Sequence, residues 1–381
     1  MAGRIVLFGA TGYTGRLTAE AMLERGLRPV LAARSRGKLE ELARELGGDL
    51  EIAVADVSDP PSVNALVEKG DVLVTTVGPF ARWGVPAAAA ATTSGAHYID
   101  STGEPAFIRE VFERFGPAAK KAQVGMLTAF GYDWVPGNLA GALALRSAGD
   151  DAVRVDIGYF LTGKAAMSGG TRASSVGAAA SPSFAFRDGR VRSERGGRRV
   201  RSFRVGSKTK DGVSVGSSEH FALPKSAPQL REVNVYLGWF GPFARPMQAF
   251  SLGMSLPGAA TVVRALGEHL IKGSSGGPDA EERAKGGSHI VALAYDGSDR
   301  QLSEVHVTGV DGYTFTGRIL AWGADQAAAG GLQGAGALGP VEAFGLVALA
   351  DGCRWAGLEE EGASRAASGA SKPSAERAPL G

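Results

Sequence analysis

Three glycines at intervals of three residues lie between a short apolar run and a helical pattern near the start of the chain. In RIVLFGATGYTGRL they are Gly9, Gly12 and Gly15, with Thr11 and Tyr13 between them. A backbone without side chains lets a pyrophosphate approach closely, and the N-terminus of the following helix offers free N–H groups and the positive end of its dipole. The spacing GxxGxxG, after a strand and before a helix, therefore predicts that all five residues contact a dinucleotide; a tight turn without a ligand is the alternative.

Basic residues follow the second apolar run, where a dinucleotide-binding fold often has a carboxylate. That carboxylate would bind the ribose of NAD and repel the 2′-phosphate of NADP. This chain has Arg34, Ser35 and Arg36 instead, and guanidinium groups bind phosphate through charge-assisted hydrogen bonds. We therefore predict NADPH as the cofactor, with solvated surface arginines as the alternative. Asp56, at the end of the third strand, is expected near the adenine.

Candidates for contact with the nicotinamide and the substrate follow the fourth and fifth predicted strands. Ligands of a doubly wound sheet lie beyond the carboxyl ends of its strands, so the loops VGPF and DSTGE are relevant. Gly78, Pro79 and Phe80 are expected along the ribose and nicotinamide, with Phe80 as an apolar wall. Thr102 and Glu104 are expected to contact the substrate, and helix capping is the alternative for Glu104.

The segment GYDWVPGN after the sixth strand supplies the candidates for proton transfer. The phenol of Tyr132 can donate a proton or a hydrogen bond to a carbonyl or enolate oxygen, and the carboxylate of Asp133 can orient it. Asp133 can equally cap the following helix. Trp134 is expected to border the same pocket. In SGGTRAS, Gly170 and Thr171 are expected either to bind a substrate carbonyl or carboxylate, or to form a structural N-cap.

An alternation of strands and helices positions these residues. Between residues 4 and 127, six short apolar runs alternate with helical patterns, which indicates βαβ units around a parallel sheet. After residue 131, a helix is followed by longer extended runs such as AVRVDIGYFL and HIVALAYDG, which favour an antiparallel sheet. The predicted fold is α/β: a Rossmann-type doubly wound parallel sheet plus a second α+β domain with a mainly antiparallel sheet.

The same patterns predict the domain organisation, since 381 residues exceed one small core. Residues 1–130 are expected to form the NADP-binding Rossmann domain, completed by 337–358 with a single helix over 341–352. Residues 131–336 are expected to form the substrate and catalytic domain. Residues 359–381, rich in Ser, Ala, Pro and Glu, are expected to be a disordered tail.

Composition argues against several classes of protein. A formal net charge of +2 argues against a nucleic-acid binder. No run approaches the ~20 apolar residues of a membrane span, and the first apolar run is too short for a signal peptide. The single cysteine, Cys353, cannot form an intramolecular disulfide, and no spacing of His or Cys suggests a metal site. We expect a cytoplasmic protein without a metal.

Two further segments have an unusual composition. Residues 187–210 contain ten basic residues and two acids, which favours solvated hairpin faces or, alternatively, a docking patch for an acyl carrier protein or a CoA phosphate. The apolar stretch 235–271 is expected to line a substrate tunnel or to form a homodimer interface, and its Pro and Gly residues argue against a membrane span.

Five segments, in this order, resemble the saccharopine dehydrogenase-like family, and within it the subgroup of bacterial trans-acting enoyl reductases. They are TTVGPFARWG (75–84), HYIDSTGEPAFIREV (97–111), GYDWVPGNLAGAL (131–143), SGGTRAS (168–174) and ALGPVEAFG (337–345). The resemblance implies a Rossmann domain plus an α/β catalytic domain, and NADPH-dependent reduction of a carbon–carbon double bond on a polyketide chain. GYDWVPGN departs from the GFDSVPSD of relatives at Tyr132, Trp134 and Asn138, which bears on the identity of the substrate.

The sequence therefore predicts an NADPH-dependent oxidoreductase that reduces an unsaturated small-molecule or carrier-bound substrate in specialised metabolism. One alternative is an imine reductase or secondary-amine dehydrogenase of the saccharopine type. The other is a non-catalytic NADPH-binding sensor or scaffold. A reductase must exclude water from a pocket beside C4 of the nicotinamide, whereas a sensor need not.

Overall fold

The first of two sheets is parallel and buried on both faces. The computed structural model describes residues 3–163, 183–239 and 276–362, and elements are numbered in chain order within them. The sheet has the order β15-β6-β5-β4-β1-β2-β3, and every pairing between these strands is parallel. Its strands are β1 (Ile5–Phe8), β2 (Val30–Ala33), β3 (Ile52–Val54), β4 (Val72–Thr75), β5 (His97–Asp100), β6 (Gly125–Leu127) and β15 (Gly336–Ala337).

Helices cover both faces of this sheet. Along β1, Ile5 and Leu7 face one core, and Val6 and Phe8 face the other. This two-sided burial explains why the strands are continuous apolar runs. The helices between the strands are α1 (Tyr13–Glu24), α2 (Arg36–Glu45), α3 (Pro60–Asn64), α4 (Phe80–Ser94), α5 (Pro105–Glu110), a π-helical turn (Val111–Phe115) and α6 (Gly116–Ala122).

The second sheet is mixed and mainly antiparallel. Among its described strands only β7 and β12 pair in parallel. Its strands are β7 (Arg154–Gly163), β8 (Ser183–Arg187), β9 (Arg190–Glu194), β10 (Val200–Val205), β11 (Lys208–Ser214), β12 (Glu232–Leu237), β13 (Gly286–Tyr295), β14 (Gln301–Gly309) and β16 (Leu358–Glu360). The predicted fold class is confirmed in both parts.

Helix α7 (Val135–Ala148) lies on the second sheet, against β7, β13 and β14. Residues 135–145 are all buried. Strand β7 alternates accordingly: Val155, Ile157 and Tyr159 belong to the core that contains α7, and Phe160 belongs to a small apolar cluster on the opposite face. The other helices are α8 (Glu219–Ser226), α9 (Ala280–Ala284), α10 (Gly312–Ala328), α11 (Pro340–Phe344) and α12 (Leu346–Ala356).

The prediction of one helix over 341–352 is wrong, because Gly345 separates α11 from α12. Gly345 has φ +78 and ψ 154, a conformation that L side chains rarely adopt and that ends one helix before the next begins. Strand β16, which pairs with β14, also extends into the predicted disordered tail at residues 359 and 360; residues 363–381 lie outside the described residues.

The chain returns to the first sheet after the second. Strand β15 pairs with β6, and α10 packs against α1 and against strands β4 and β5. The division into residues 1–130 with 337–358, and 131–336, remains a prediction. Within the described ranges, none of the helices is both long and apolar enough to cross a membrane.

Candidate functional site

The glycine turn between β1 and α1 leaves the helix N-terminus open. Gly9 has φ +93, and a Cβ there would lie 2.7 Å from the Thr76 hydroxyl oxygen; a Cβ on Gly15 would overlap the carbonyl oxygen of Gly9. The third glycine thus lets α1 pack directly on the turn. Gly12 is the N-cap residue, and both Gly12 and Thr11 are exposed. The free N–H groups of this turn can therefore receive an anion.

The tip of β2 brings the basic residues to the same edge of the sheet. Arg34 is exposed, and Ser35 is the N-cap residue of α2 without a side-chain capping bond. The Asp56 carboxylate accepts hydrogen bonds from the backbone N–H and hydroxyl of Ser58, at 2.9 and 2.7 Å. These bonds, and the nearby charge of Arg34, lower the pKa of Asp56. Arg36 lies 4.0 Å from Glu40 in an exposed pair. The tip can accept a phosphate beside Arg34.

The loop after β4 places its aromatic ring differently from the expectation of an apolar wall. Phe80 is 5% exposed and packs against Phe107, with the ring centroids 5.7 Å apart. Its ring therefore belongs to the core of the first sheet. Gly78 is exposed and Pro79 half-buried, so the backbone before α4 is the accessible part of this loop. Contact of these three residues with a nicotinamide remains a prediction.

Thr102 and Glu104 form a buried network at the start of α4. The Glu104 carboxylate accepts hydrogen bonds from the backbone N–H groups of Phe80 and Ala81, at 2.8 and 2.9 Å. The Thr102 hydroxyl accepts one from the Glu104 N–H at 3.1 Å. Glu104 thus caps a helix that begins 24 residues earlier in the chain, which satisfies N–H groups that would otherwise be unpaired. Their contact with a substrate remains a prediction.

Asp100 joins the loops after β5 and β6. It is 0% exposed, and its Oδ1 accepts hydrogen bonds from the N–H groups of Thr102 and Ala129, both at 2.9 Å. Burial raises the pKa of Asp100 to about 6, although these bonds oppose the shift. The turn with Tyr132 and Asp133 therefore starts from a fixed position at the carboxyl edge of the sheet.

Tyr132 and Asp133 are neighbours in an environment that favours their protonated forms. The Tyr132 hydroxyl is buried, and burial raises its pKa well above the usual range, although its contact with the Ser288 side chain acts in the opposite direction. The Oδ1 of Asp133 is buried without a hydrogen-bond partner among the described residues, and burial raises the pKa of Asp133 to about 7. Asp133 does not cap α7, because the N-cap residue is Trp134. The Asp133 Oδ2 lies beside Gly103: a Cβ added at Gly103 would be 2.7 Å from this oxygen.

Aromatic rings surround this pair. The Tyr132 ring lies edge-on to Tyr159 at 5.7 Å and parallel to Trp239 at 6.5 Å. Trp134, 1% exposed, lies edge-on to Tyr159 at 5.1 Å. The backbone N–H of Tyr132 donates to the Thr316 hydroxyl of α10 at 3.0 Å. The turn is thus held between the second sheet and a helix that also packs against α1.

Sequence reasoning did not identify two residues behind this turn. Glu219 is 0% exposed, and its Oε1 lies 2.7 Å from the Tyr159 hydroxyl oxygen, within hydrogen-bond distance. Burial raises the pKa of Glu219 to about 8. No motif surrounds Glu219 in SSEHFALPK, so only the fold could reveal it. Gly170 and Thr171 lie outside the described residues.

Much of the basic segment is paired within the chain. Arg201 forms an ion pair with Asp156, which is 1% exposed. Arg187 lies 2.8 Å from Glu232, and Arg199 lies 2.5 Å from Glu194. The segment does form hairpins, β8–β9 and β10–β11. These three arginines are partly buried in ion pairs, whereas Arg190, Arg192, Arg198, Arg204 and Lys208 are exposed.

The glycine turn, the basic tip of β2 and the loops after β4 to β6 fall within one recognised sequence pattern. Residues 9–133 match the family model described as NAD(P)H-binding. They form an NAD(P)H-binding domain. The prediction of a nicotinamide cofactor is thereby confirmed at the level of NAD(P)H. The preference for NADPH over NADH remains a prediction.

Curated relatives share part of the sequence. The chain is 39% identical over 140 residues to a trans-acting enoyl reductase of Mycobacterium leprae, covering 35% of this chain and 34% of that protein. It is 37% identical over 140 residues to one of Mycobacterium tuberculosis, with the same coverage. The matched part is thus about a third of the length of these relatives. The resemblance seen in the sequence is confirmed over that part.

Solved structures share the fold over most of the chain. Saccharopine dehydrogenase (L-Glu forming) from Saccharomyces cerevisiae matches with a TM-score of 0.57 and 12% identity, covering 94% of this chain and 99% of that one. Homospermidine synthase from Legionella pneumophila, in complex with NAD, matches with a TM-score of 0.61 and 11% identity, covering 94% and 91%. Both show a common fold with two sheets.

Proposed function

We propose that this chain is an NADPH-dependent reductase that transfers hydride to a carbon–carbon double bond of an unsaturated thioester, presented by an acyl carrier protein or as a CoA ester. One observation carries the proposal: the open N-terminus of α1 and the acid-free tip of β2 at Arg34 lie on the same sheet edge as Tyr132 and Asp133, two buried groups whose pKa values are raised by burial. The partial likeness to proteins named trans-acting enoyl reductase supports the choice of bond.

The residues at this edge have separable roles. The turn from Gly9 to Gly15 would bind the pyrophosphate, and Arg34 the 2′-phosphate. When bound, the cofactor would supply a hydride for the β-carbon of the double bond, and the electron pair of that bond would move toward the thioester oxygen. The neutral hydroxyl of Tyr132 would donate a hydrogen bond to that oxygen. Asp133, with a pKa of about 7, would hold the proton that the α-carbon receives.

The test combines cofactor binding with turnover. Fluorescence titration is expected to give a lower Kd for NADPH than for NADH; equal affinities, or tighter NADH, would contradict the choice of cofactor. Oxidation of NADPH is then followed with a crotonyl thioester of N-acetylcysteamine, and with a 2-oxo acid plus an amine. Turnover of the thioester supports the proposal, and turnover of the imine mixture favours the saccharopine-type alternative. Binding without turnover favours the sensor.

Location and partners are part of the same proposal. We propose a cytoplasmic location, supported by the single cysteine, Cys353, which is buried. Exposed charges that remain in the basic segment, such as Arg190 and Lys208, would attract an acidic carrier. A salt-dependent KM for carrier-bound but not for N-acetylcysteamine-bound substrate would support this. The homodimer remains a prediction.

A further inference from the structure

Glu219 is a buried carboxyl group without an ion pair among the described residues. It begins α8, which packs against α7 and against β8 and β12. Its side chain is 0% exposed, and its Oε2 has no hydrogen-bond partner within the part of the chain that is described. An ionised carboxylate in such a place would be costly. Glu219 is therefore expected to be neutral, with a proton on its carboxyl group.

The Tyr159 hydroxyl makes three contacts within hydrogen-bond distance, but it has only one proton to donate. It accepts a hydrogen bond from the Gly137 N–H at 2.7 Å, and it lies 3.1 Å from the Trp134 carbonyl and 2.7 Å from the Glu219 Oε1. If Glu219 is ionised, Tyr159 can donate to only one of the last two oxygens. If Glu219 carries a proton on Oε1, it donates to Tyr159, and Tyr159 donates to the Trp134 carbonyl. Only the protonated form makes all three contacts hydrogen bonds.

We propose that Glu219, in its protonated form and through Tyr159, is the positioning residue for the turn that carries Tyr132 and Asp133. The two groups bonded by Tyr159 flank this turn: the Trp134 carbonyl at its end, and the Gly137 N–H in the first turn of α7. The inference rests on the proposed function, which makes Tyr132 and Asp133 the reacting groups.

The packing around Gly137 shows that this arrangement is tight. A Cβ on Gly137 would overlap both the Tyr159 hydroxyl oxygen and the Glu219 Oε1. A second tie comes from Asn138, whose Nδ2 donates to the Trp134 carbonyl at 2.9 Å and to the Ser218 hydroxyl at 3.0 Å. Asn138 thus links the Trp134 carbonyl, at the start of α7, to Ser218, at the start of α8.

The charged and titratable groups around Glu219 favour the neutral carboxyl. Burial is the largest cause that raises its pKa, to about 8, and the charge of Asp133 acts in the same direction. The hydrogen bonds with Tyr159, with the backbone N–H of Glu219 itself and with the Ser217 side chain oppose both. On α8 itself, His220 has a pKa lowered to about 3 by burial and by the charges of Arg187 and Arg199, so it is uncharged at neutral pH. At pH 7 Glu219 therefore carries its proton.

Ionisation of Glu219 should release the turn. Above about pH 8 the single proton of Tyr159 is drawn to the carboxylate, so the Trp134 carbonyl loses that donor. Asp133 then also faces a second negative charge. Activity should fall as the pH rises through this value.

Infrared spectroscopy of the full chain tests the protonation without any substrate. Wild type at pH 7 is expected to show the carbonyl stretch of a buried carboxylic acid. Asp133 contributes to this absorption as well, so the variants assign its parts: Glu219→Gln should remove the Glu219 component, Asp133→Asn should retain that component, and Tyr159→Phe should shift it because the hydrogen bond from Oε1 to the Tyr159 hydroxyl is gone. An unchanged spectrum in Glu219→Gln, or a band that Tyr159→Phe leaves in place, overturns the proposal.

The pH profile of NADPH oxidation with the crotonyl thioester tests the positioning role. Gln is neutral at every pH and retains a donor for Tyr159, so Glu219→Gln should exceed Glu219→Ala in kcat by about tenfold, and its alkaline fall should be that of Asp133 alone, near pH 7. Equal activity of the two variants, or an alkaline fall in Glu219→Gln identical to that of wild type, contradicts the role. If wild type does not turn over, the proposed function fails, and the infrared result still decides the state of Glu219.

Discussion

At the scale of single residues, the candidate site combines groups that favour function over stability. Asp133 has a buried Oδ1 with no partner among the described residues, and its pKa is raised to about 7 by burial. A carboxyl with a raised folded-state pKa destabilises the protein once it ionises. Such a group is expected where a proton must be held near neutral pH.

Asp133→Asn should therefore stabilise the protein while it lowers activity. The shift from 3.8 to about 7 corresponds to at most ~4 kcal/mol in the free energy of unfolding. The gain should be present at pH 8 and small near pH 3, where the carboxyl is mostly protonated in both states. Urea unfolding at the two pH values measures it, and an equal change at both would contradict the assignment.

Arg34 is expected to determine the preference between the two nicotinamide cofactors. Arg34→Ala removes a charge-assisted hydrogen bond to the 2′-phosphate, which is worth about 1.5–3 kcal/mol. The Kd for NADPH should rise by roughly 10- to 100-fold, and the Kd for NADH should not change. Arg190→Ala, an exposed arginine of the second sheet, is the matched control. A parallel loss of affinity for both cofactors would mean that Arg34 does not contact the 2′-phosphate.

At the scale of elements, the glycine turn is a packing device as well as a binding site. Gly15 lies where α1 rests on the turn, because a Cβ there would overlap the Gly9 carbonyl oxygen. On α2, by contrast, a Cβ on Gly37 would have nothing within 4 Å. The same substitution should therefore have opposite effects at these two helical positions.

Gly15→Ala should destabilise the protein by about 1–3 kcal/mol, through overpacking, and weaken cofactor binding. Gly37→Ala should be neutral or stabilising by up to ~1 kcal/mol, because alanine favours helix and meets no neighbour. Thermal unfolding and NADPH titration of both variants test this. A Gly15→Ala variant as stable as wild type would mean that α1 can move away from the turn.

Elements with local signals were predictable, and those formed by long-range contacts were not. The six strands of βαβ units and the helix after residue 135 carry clear periodicity and were predicted. Helix α10 was not, although Asp311 accepts hydrogen bonds from the N–H groups of Tyr313 and Thr314 as an N-cap. Strand β16 is three residues long and is stabilised by its pairing with β14. No local sequence pattern predicts such a strand.

At the scale of the whole molecule, three buried carboxyl groups should set the dependence of stability on pH. Burial raises the pKa of Asp100 to about 6, of Asp133 to about 7 and of Glu219 to about 8. In the unfolded chain these groups titrate near pH 4. Between these limits the folded state holds more protons than the unfolded state, so stability falls as the pH rises.

The free energy of unfolding should therefore decrease from pH 5.5 to pH 8.5. Denaturant unfolding at several pH values measures the slope, and the double variant Asp133→Asn with Glu219→Gln should be much less dependent on pH. A wild-type stability that rises over this range would show that the three carboxyl groups are ionised in the folded protein.

The candidate site was predictable where chemistry requires a motif. The glycines and Arg34 follow from the demands of a phosphate group. Glu219 and Tyr159 lie 60 residues apart, and their hydrogen bond depends on how α8 packs against the second sheet. The packing of the Phe80 ring against Phe107 in the core has no local signal for the same reason, and its contact with the cofactor remains a prediction.

The position of β15 in the first sheet has a consequence for synthesis of the protein. Its partner β6 ends at Leu127, whereas β15 begins at Gly336, so the ribosome makes more than two hundred residues between them. During that time β6 is an edge strand of the nascent sheet, and its unpaired backbone groups can pair with strands of other chains. The edge of the first sheet at β6 can therefore be closed only after residues 336–337 have been synthesised.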